Sequence, residues 1–253
     1  MPLSDQTRAS VHELLLREVT RYISENLANL PVLETKPFHA RLMPALFVVA
    51  LSERSFSTRL GLWFQRIALL VARQFNQQAH SNKLVVGQLQ PAAEAQITAI
   101  LSQLTGSSPR REPNRQLDCT QVNGVQYPGR TTRQVRSDLF IVRPDGSEVY
   151  FEMKTVMPNR GTFEEMKRKM LMIMAMRSEF NAQAYAAMSY NPAGDGNVYF
   201  PEFNNCLEIG TDLLVGREFW SFIGDDHTYD ELLEIAQAVG EETTPLIAAA
   251  SNR

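Results

Sequence analysis

The sequence has 253 residues, of which 44% are hydrophobic and 21% charged, and its formal net charge is −3. These values are typical of a folded globular protein and exclude a disordered or fibrous chain. No apolar stretch approaches the roughly 20 residues that a membrane-spanning helix needs, and no signal-peptide pattern is present. We therefore expect a cytoplasmic protein without a membrane anchor. Cys119 and Cys206 lack zinc-ligand spacing and are expected to be free thiols.

The first part of the chain carries helical patterns. Apolar residues recur at intervals of three and four over residues 4–27 and again over 55–75, and a further helix is predicted over 91–104. We therefore expect residues 1–106 to be mostly helical. His39 precedes an apolar run, and for such a histidine a hydrogen-bonded structural role is favoured over a catalytic one.

Residues 107–136 form a basic segment that also contains several prolines and glycines. Its six arginines stand against two acidic residues, a local charge of +4, which leaves −7 for the rest of the chain. The arginines are Arg110, Arg111, Arg115, Arg130, Arg133 and Arg136. The pattern predicts a long irregular segment. It is equally compatible with a phosphate-contacting surface and with a solvated loop.

A β-hairpin is predicted next. The apolar and β-branched runs 135–142 and 148–154 flank Pro144-Asp145-Gly146, which is typical turn chemistry. If these three residues form a type I turn with Gly146 in the left-handed region, Arg143 faces Ser147. The same register places Asp138 opposite Glu152.

This register gathers charged residues on one face of the hairpin. Side chains alternate between faces with a period of two, so Asp138, Glu152 and Lys154 share a face. Two carboxylates with Cβ atoms about 5 Å apart repel each other unless a divalent cation lies between them. A lysine beside that cation can orient or activate water. By itself the motif more often marks a surface ion pair, but the apolar character of both strands favours a functional site.

The rest of the chain completes an α/β pattern. A helix is expected from Thr162, with Thr162 to Glu165 as a capping box. A strand of the same sheet follows over 184–190, and closing helices over 218–224 and 229–239 precede a frayed tail from Gly240.

The order of elements fits one α/β domain with a mixed sheet. Within it we expect a helical part (1–106), the basic segment (107–136), the catalytic sheet core (137–190) and the closing helices with the tail (191–253). The sequence contains no Walker-type loop and no GxGxxG motif, so no nucleotide cofactor is expected.

Two resemblances arise from these residues. Asp138 followed by Glu152-x-Lys154 resembles the PD-(D/E)xK nuclease site, with Ser137 in place of the proline. Over about residues 37 to 233, the sequence resembles the TdeIII family of type II restriction endonucleases. The blocks that carry this second resemblance are 37–42, 137–161, 190–192, 218–222 and 229–233.

The resemblance implies a restriction-endonuclease-like fold of a mixed β-sheet flanked by helices. It also implies a homodimer that hydrolyses double-stranded DNA at a short symmetric site of the type GGNCC, leaving 5′-phosphates. Carried over by position, Asp138 and Glu152, with the carbonyl of Met153, would bind Mg²⁺, for which Mn²⁺ should substitute. Lys154 would be the catalytic lysine. Whether a further acidic residue such as Glu94 completes the metal site stays open.

Candidate DNA contacts lie on both sides of this hairpin. They are Asn159 and Arg160, together with Arg130, Arg133 and Arg136 of the basic segment. For Asn159 and Arg160, simple closure of the strand-to-helix turn is an equal alternative. For the whole chain, the alternatives are a structure-selective repair or junction nuclease with the same site, and a non-catalytic DNA-binding module.

Overall fold

The computed structural model describes residues 1–27, 44–106, 110–124, 129–154, 158–180, 182–199 and 201–251. His39 and the block 37–42 lie outside these residues. The α-helices are α1 (Asp5–Tyr22), α2 (Pro44–Phe75), α3 (Pro91–Thr105), α4 (Arg115–Asn123), α5 (Arg160–Met176), α6 (Arg217–Ile223) and α7 (Thr228–Ser251). A π-helical turn (Ile23–Leu27) continues α1, and a 3₁₀ turn (Ser178–Phe180) follows α5. Within the described part of the chain, no helix is long and apolar enough to cross a membrane.

Five strands form one mixed sheet in the order β1-β2-β3-β4-β5. They are β1 (Gln78–Leu89), β2 (Thr131–Val142), β3 (Glu148–Lys154), β4 (Gln183–Met188) and β5 (Leu213–Val215). The pairs β1–β2 and β2–β3 are antiparallel, whereas β3–β4 and β4–β5 are parallel. The parallel β3–β4 connection contains α5, as such a crossover requires. The predicted α/β architecture with a mixed sheet is confirmed.

Helices cover both faces of the sheet, and alternate residues of β2 and β3 point to opposite layers. Leu139 and Phe151 pack against residues of α1, α2, α6 and α7, including Trp63 and Trp220. On the other face, Tyr150 packs with residues of α3, α4 and α5. Both strands are therefore buried on two sides, as their continuous apolar sequences indicated.

Residues 1–106 contain the helices α1, α2 and α3, but β1 also lies among them and was not predicted. This strand has twelve residues, of which only Ala79, Val85 and Leu89 are buried. With so few apolar positions turned inward, the strand has no clear period-two pattern in the sequence. Its pairing with β2, rather than its own composition, makes it a strand.

The basic segment 107–136 is also more regular than expected. It contains α4, capped by the Asn114 side chain, and the first six residues of β2. The short strand β5 was not anticipated. The tail predicted to fray from Gly240 instead continues α7 to Ser251, and within this part Thr243 is buried.

Candidate active site

The hairpin between β2 and β3 has the predicted register. The backbone N–H of Arg143 donates to the carbonyl of Ser147 at 3.0 Å, and Gly146 has φ = 83°. A positive φ is readily adopted by glycine at this position of a three-residue turn. Leu139 is the Cα partner of Phe151, the pair adjacent to Asp138 and Glu152.

The regular backbone pairing between β2 and β3 ends next to Asp138, at the pair Leu139–Phe151. The backbone N–H of Met153 donates to Oδ2 of Asp138 at 2.8 Å, and the N–H of Phe151 donates to the Ser137 hydroxyl at 3.1 Å. On the other side, Asn82 falls between regular pairs of the β1–β2 ladder and has φ = 53°. Side-chain hydrogen bonds thus replace backbone pairing at this point and fix the Asp138 carboxylate. Ser137, which stands where the motif has proline, accepts one of these hydrogen bonds through its hydroxyl group.

The three residues predicted from the motif come together. Nζ of Lys154 lies 2.6 Å from Oε1 of Glu152 and 3.9 Å from Oδ2 of Asp138. Glu152 is buried, with 5% of its side chain exposed, while Asp138 and Lys154 remain partly accessible at 26% and 32%. The site is therefore a half-open charged recess on a strand that is otherwise apolar.

A second lysine belongs to this cluster and was missed from the sequence. Nζ of Lys169, on α5, lies 2.8 Å from Oε1 of Glu152 and 3.3 Å from Oε1 of Glu165. Glu165 and Lys169 are four residues apart on the helix, a spacing that usually indicates an exposed ion pair. Nothing in that spacing shows that the lysine also reaches a buried strand residue.

The electrostatics of the cluster favour a bound cation. Burial and the negative charge of Glu152 raise the pKa of Asp138, although Lys154 and the Met153 N–H act in the opposite direction. Burial is the largest single effect and lowers the pKa of Lys169, but the hydrogen bonds and charges of Glu152 and Glu165 together outweigh it, and the pKa of Lys169 is raised. Two carboxylates therefore share a poorly hydrated recess in which positive charge stabilises them.

The donor atoms fit a hard divalent cation. Asp138, Glu152 and the Met153 carbonyl offer only oxygen atoms, the ligands that Mg²⁺ prefers. Among the described residues, no group of three or more His, Cys, Asp or Glu side chains could hold a metal ion. Mg²⁺ commonly retains several waters and substrate phosphate oxygens as ligands. Two carboxylates are compatible with such a site.

Glu94 is engaged elsewhere. Its Oε2 atom lies 2.7 Å from Nη2 of Arg133, and both of its carboxylate oxygens accept hydrogen bonds from this guanidinium. The hydrogen bond and charge of Arg133, together with Arg168, lower the pKa of Glu94 despite partial desolvation. The structure therefore gives Glu94 an arginine partner.

Comparison with known proteins identifies the class of enzyme. Residues 4–240 match the family described as "Type II restriction endonuclease, HinfI". The chain belongs to this HinfI-type family. Among its relatives are the type II restriction enzymes HgiEI, HgiBI and HgiCII of Herpetosiphon aurantiacus, which are 34%, 33% and 32% identical to it over 213 residues. Each alignment covers 82% of this chain and 78% of the relative.

Membership in the HinfI-type family makes the chain a type II restriction enzyme, that is, a site-specific deoxyribonuclease. This agrees with the class that the sequence resemblance implied. The matched family is the HinfI type, and the more specific expectation of the TdeIII family is not confirmed. The PD-(D/E)xK assignment continues to rest on the three residues of the hairpin.

The arginines of the HinfI-type chain that were predicted to contact DNA occupy different environments. Arg130 is exposed immediately before β2, and Arg136 is exposed on β2 two residues from Asp138. Nη1 of Arg136 lies 3.3 Å from Oδ1 of Asn82, a long hydrogen bond. Arg133 is held by Glu94, as described above. Arg136 is therefore the nearest of the three to Asp138 along β2.

Asn159 and Arg160 have structural roles at the start of α5. Oδ1 of Asn159 accepts hydrogen bonds from the backbone N–H of Thr162 at 3.0 Å and from its hydroxyl at 3.1 Å. Asn159 is thus the N-cap, three residues before the predicted capping residue, Thr162. The Arg160 guanidinium donates to the carbonyl of Thr105 and pairs with Glu164 at 3.3 Å. Both side chains also lie at the surface.

Proposed function

We propose that this chain is a Mg²⁺-dependent restriction endonuclease of the PD-(D/E)xK type, which cuts both strands of a short palindromic site as a homodimer. The observation that carries the proposal is the convergence of Asp138, Glu152 and Lys154 at one end of the β2–β3 ladder. Membership of the family supports the reaction class. It also favours restriction over a junction nuclease or a non-catalytic binding module.

In this proposal Asp138, Glu152 and the Met153 carbonyl hold Mg²⁺, or Mn²⁺ in its place. When bound, the ion supplies Lewis-acid polarisation of the scissile phosphate and lowers the pKa of bound water. The Met153 N–H holds the Asp138 carboxylate in place through a hydrogen bond to its Oδ2 atom. Lys154 projects between the two carboxylates, where its ammonium group orients the attacking water toward phosphorus. In-line attack then leaves a 5′-phosphate and a 3′-hydroxyl.

The DNA contacts are proposed to begin next to the cut. Arg136 lies on the same side of β2 as Asp138, since only Ser137 separates the two along the strand, and it pairs with a backbone phosphate. Arg130, immediately before β2, is proposed to contact a further backbone phosphate. Arg133 contributes only if DNA phosphate displaces Glu94. Arg160 and the amide nitrogen of Asn159, whose oxygen caps α5, are proposed to contact phosphate at the start of that helix.

The symmetry of the target follows from the number of sites. One chain carries one Asp138–Glu152–Lys154 cluster and cuts one strand, whereas a twofold dimer presents equivalent clusters to both strands. We propose GGNCC as the target, with the twofold axis through its central base pair. The guanines of each half-site offer O6 and N7 to a bidentate arginine or lysine, an interaction worth about 1 to 3 kcal/mol of discrimination.

Plasmid digestion tests this proposal. Linear and supercoiled plasmids that carry one GGNCC site, in four versions differing only at the central base pair, would be incubated with the protein and Mg²⁺. Discrete fragments with 5′-phosphate ends at the site are expected, with no cleavage in EDTA or by Asp138→Asn. Cleavage at other discrete sequences would refute GGNCC alone. Cleavage restricted to branched substrates would favour a junction nuclease.

A further inference from the structure

We propose that Lys169 is a positioning residue that competes with the divalent cation for Glu152 and moves to Glu165 when the ion binds. This inference rests on the proposed metal site. The observation behind it is that two lysine ammonium groups contact the same oxygen atom. Oε1 of Glu152 accepts hydrogen bonds from both Lys154, at 2.6 Å, and Lys169, at 2.8 Å. A lone lysine would suffice for the catalytic motif, so the second one needs an explanation.

Charge balance supplies that explanation. Without a metal ion, Asp138 and Glu152 carry two negative charges in a recess where Glu152 is buried. Lys154 and Lys169 together neutralise them. A divalent ion bound to the same carboxylates would leave two ammonium groups beside it, and the half-open recess would only partly screen their repulsion from the ion. One of the two ammonium groups therefore has to move away from the bound ion.

The structure provides a place for Lys169 to go. Glu165 lies one helical turn before it, with its Oε1 3.3 Å from the Lys169 ammonium, and 60% of the Glu165 side chain is exposed. Lys169 therefore needs only a small side-chain rotation to exchange Glu152 for Glu165. Lys154, by contrast, lies between Glu152 and Asp138, and within the described ranges these two residues of the site itself are its carboxylate partners.

The helix that carries Lys169 is anchored independently of the site. Lys167, two residues earlier on α5, is buried and pairs with Asp118 at 2.8 Å and with Asp212 at 2.6 Å. These contacts hold α5 against α4 and the segment before β5. Movement of Lys169 is therefore a side-chain event on a fixed helix.

Binding of Mn²⁺ tests the inference without requiring cleavage. Free Mn²⁺ would be counted by electron paramagnetic resonance for the parent protein, Lys169→Met, Glu165→Gln and the double variant. Lys169→Met should bind Mn²⁺ at least threefold more tightly, because the competing cation is absent. Glu165→Gln should bind it several-fold more weakly, because Lys169 has lost its alternative partner. In the Lys169→Met background, the Glu165→Gln effect should shrink to less than half.

Two controls separate competition from general charge effects and from loss of structure. Arg168→Met removes the same charge from the neighbouring position of α5, which contacts Thr98 instead of Glu152, and should leave the Mn²⁺ affinity within twofold of the parent. Lys169→Arg keeps a cation on Glu152 and should stay close to the parent. Circular dichroism confirms that each variant is folded.

Each result has a defined meaning. Weaker Mn²⁺ binding in Lys169→Met, or fully additive effects of the two substitutions, would overturn the competition while leaving the metal site in place. If the parent protein binds no Mn²⁺, or if Asp138→Asn binds it as well as the parent does, the proposed metal site fails and this inference fails with it.

Discussion

At the scale of single residues, Asp138 is under electrostatic strain. Its carboxylate is partly buried beside Glu152, and both factors raise its pKa. Lys154, the Met153 N–H and Lys169 only partly offset these two effects. Sites of this kind usually lower stability in exchange for function, because the charged groups are arranged for a ligand that the free protein lacks.

This strain predicts a stability effect of Asp138→Asn. Because the folded pKa is raised above the ordinary value of 3.8, the native protein holds this proton more tightly than the unfolded chain does. Stability therefore falls as the pH rises from about that value through the folded pKa, and the full cost is present above the folded pKa. We expect Asp138→Asn in EDTA at pH 7 to melt about 2 to 4 °C higher than the parent.

The effect should disappear in acid, where Asp138 is protonated in both states. Thermal melts of the parent and Asp138→Asn over a series of pH values would measure it. A difference in melting temperature that persists unchanged below pH 3.8 would contradict the assignment to this carboxyl group.

A second prediction at this scale separates Lys154 from a nearby charged residue of the same strand. Lys154→Ala should reduce cleavage by at least about three orders of magnitude and leave DNA binding largely intact, because such a site acts as a unit. Single-turnover cleavage and binding in Ca²⁺ would measure the two effects.

Glu148→Gln is the matched control on β3. Glu148 lies four residues before Glu152 on β3, where it pairs with Arg177 at 2.5 Å and accepts a hydrogen bond from Tyr150 at 2.7 Å. Its substitution should lower stability by roughly 1 to 2 kcal/mol while cleavage by the folded protein continues. A Lys154→Ala variant that cuts as fast as Glu148→Gln would refute the role of Lys154.

At the scale of elements, a buried ion network ties α4, α5 and the segment before β5 together. Lys167, Asp118 and Asp212 are almost fully buried, and Arg115 adds a 3.0 Å contact to Asp212. Such a network is costly to desolvate. Removing Lys167 takes away its fully buried cation and leaves Asp118 and Asp212 with one arginine each, Arg111 and Arg115.

We therefore predict that Lys167→Met lowers the free energy of unfolding by roughly 1 to 3 kcal/mol. Lys169→Met, two residues away and partly exposed, should cost less than about 1 kcal/mol. Urea titrations followed by circular dichroism would compare them. Equal losses in the two variants would show that the network contributes no more than a surface pair.

Close packing of β1 against α5 gives a further prediction. A Cβ atom added at Gly87 would lie 2.7 Å from Cβ of Met176, so Gly87→Ala should destabilise the protein by roughly 1 to 3 kcal/mol. At Gly240, within α7, an added Cβ meets nothing within 4 Å. Gly240→Ala should stabilise the helix by up to about 1 kcal/mol. Urea midpoints that shift in the same direction would contradict this pair of predictions.

At the scale of the whole molecule, the proposed twofold dimer predicts how two strands are cut. Light scattering should give twice the mass of one chain. Mixed dimers of parent and Asp138→Asn subunits should nick a one-site plasmid without linearising it, because only one strand meets an intact site. Complete linearisation by mixed dimers under single-turnover conditions would contradict a model with one cluster per strand.

The sequence alone determined the β2–β3 hairpin. Pro144, Asp145 and Gly146 set the turn, the turn set the register, and the period of two placed Asp138, Glu152 and Lys154 on one face. These relations span fewer than twenty residues and depend on local backbone geometry, which is why residue types could predict them. The same holds for α1, α3 and β4, whose apolar patterns are strong.

Only the tertiary structure decided the partners of that hairpin. Lys169 reaches Glu152 from the following helix, Glu94 pairs with Arg133 across 39 residues, and Lys167 meets Asp212 across 45. β1 and β5 become strands by pairing, although neither has a distinctive pattern of its own. The physical reason is common to all of them. From the sequence alone, a charged side chain is expected to be solvated, and a segment without a distinctive apolar pattern cannot be assigned. Only the fold shows which buried neighbour each of them contacts.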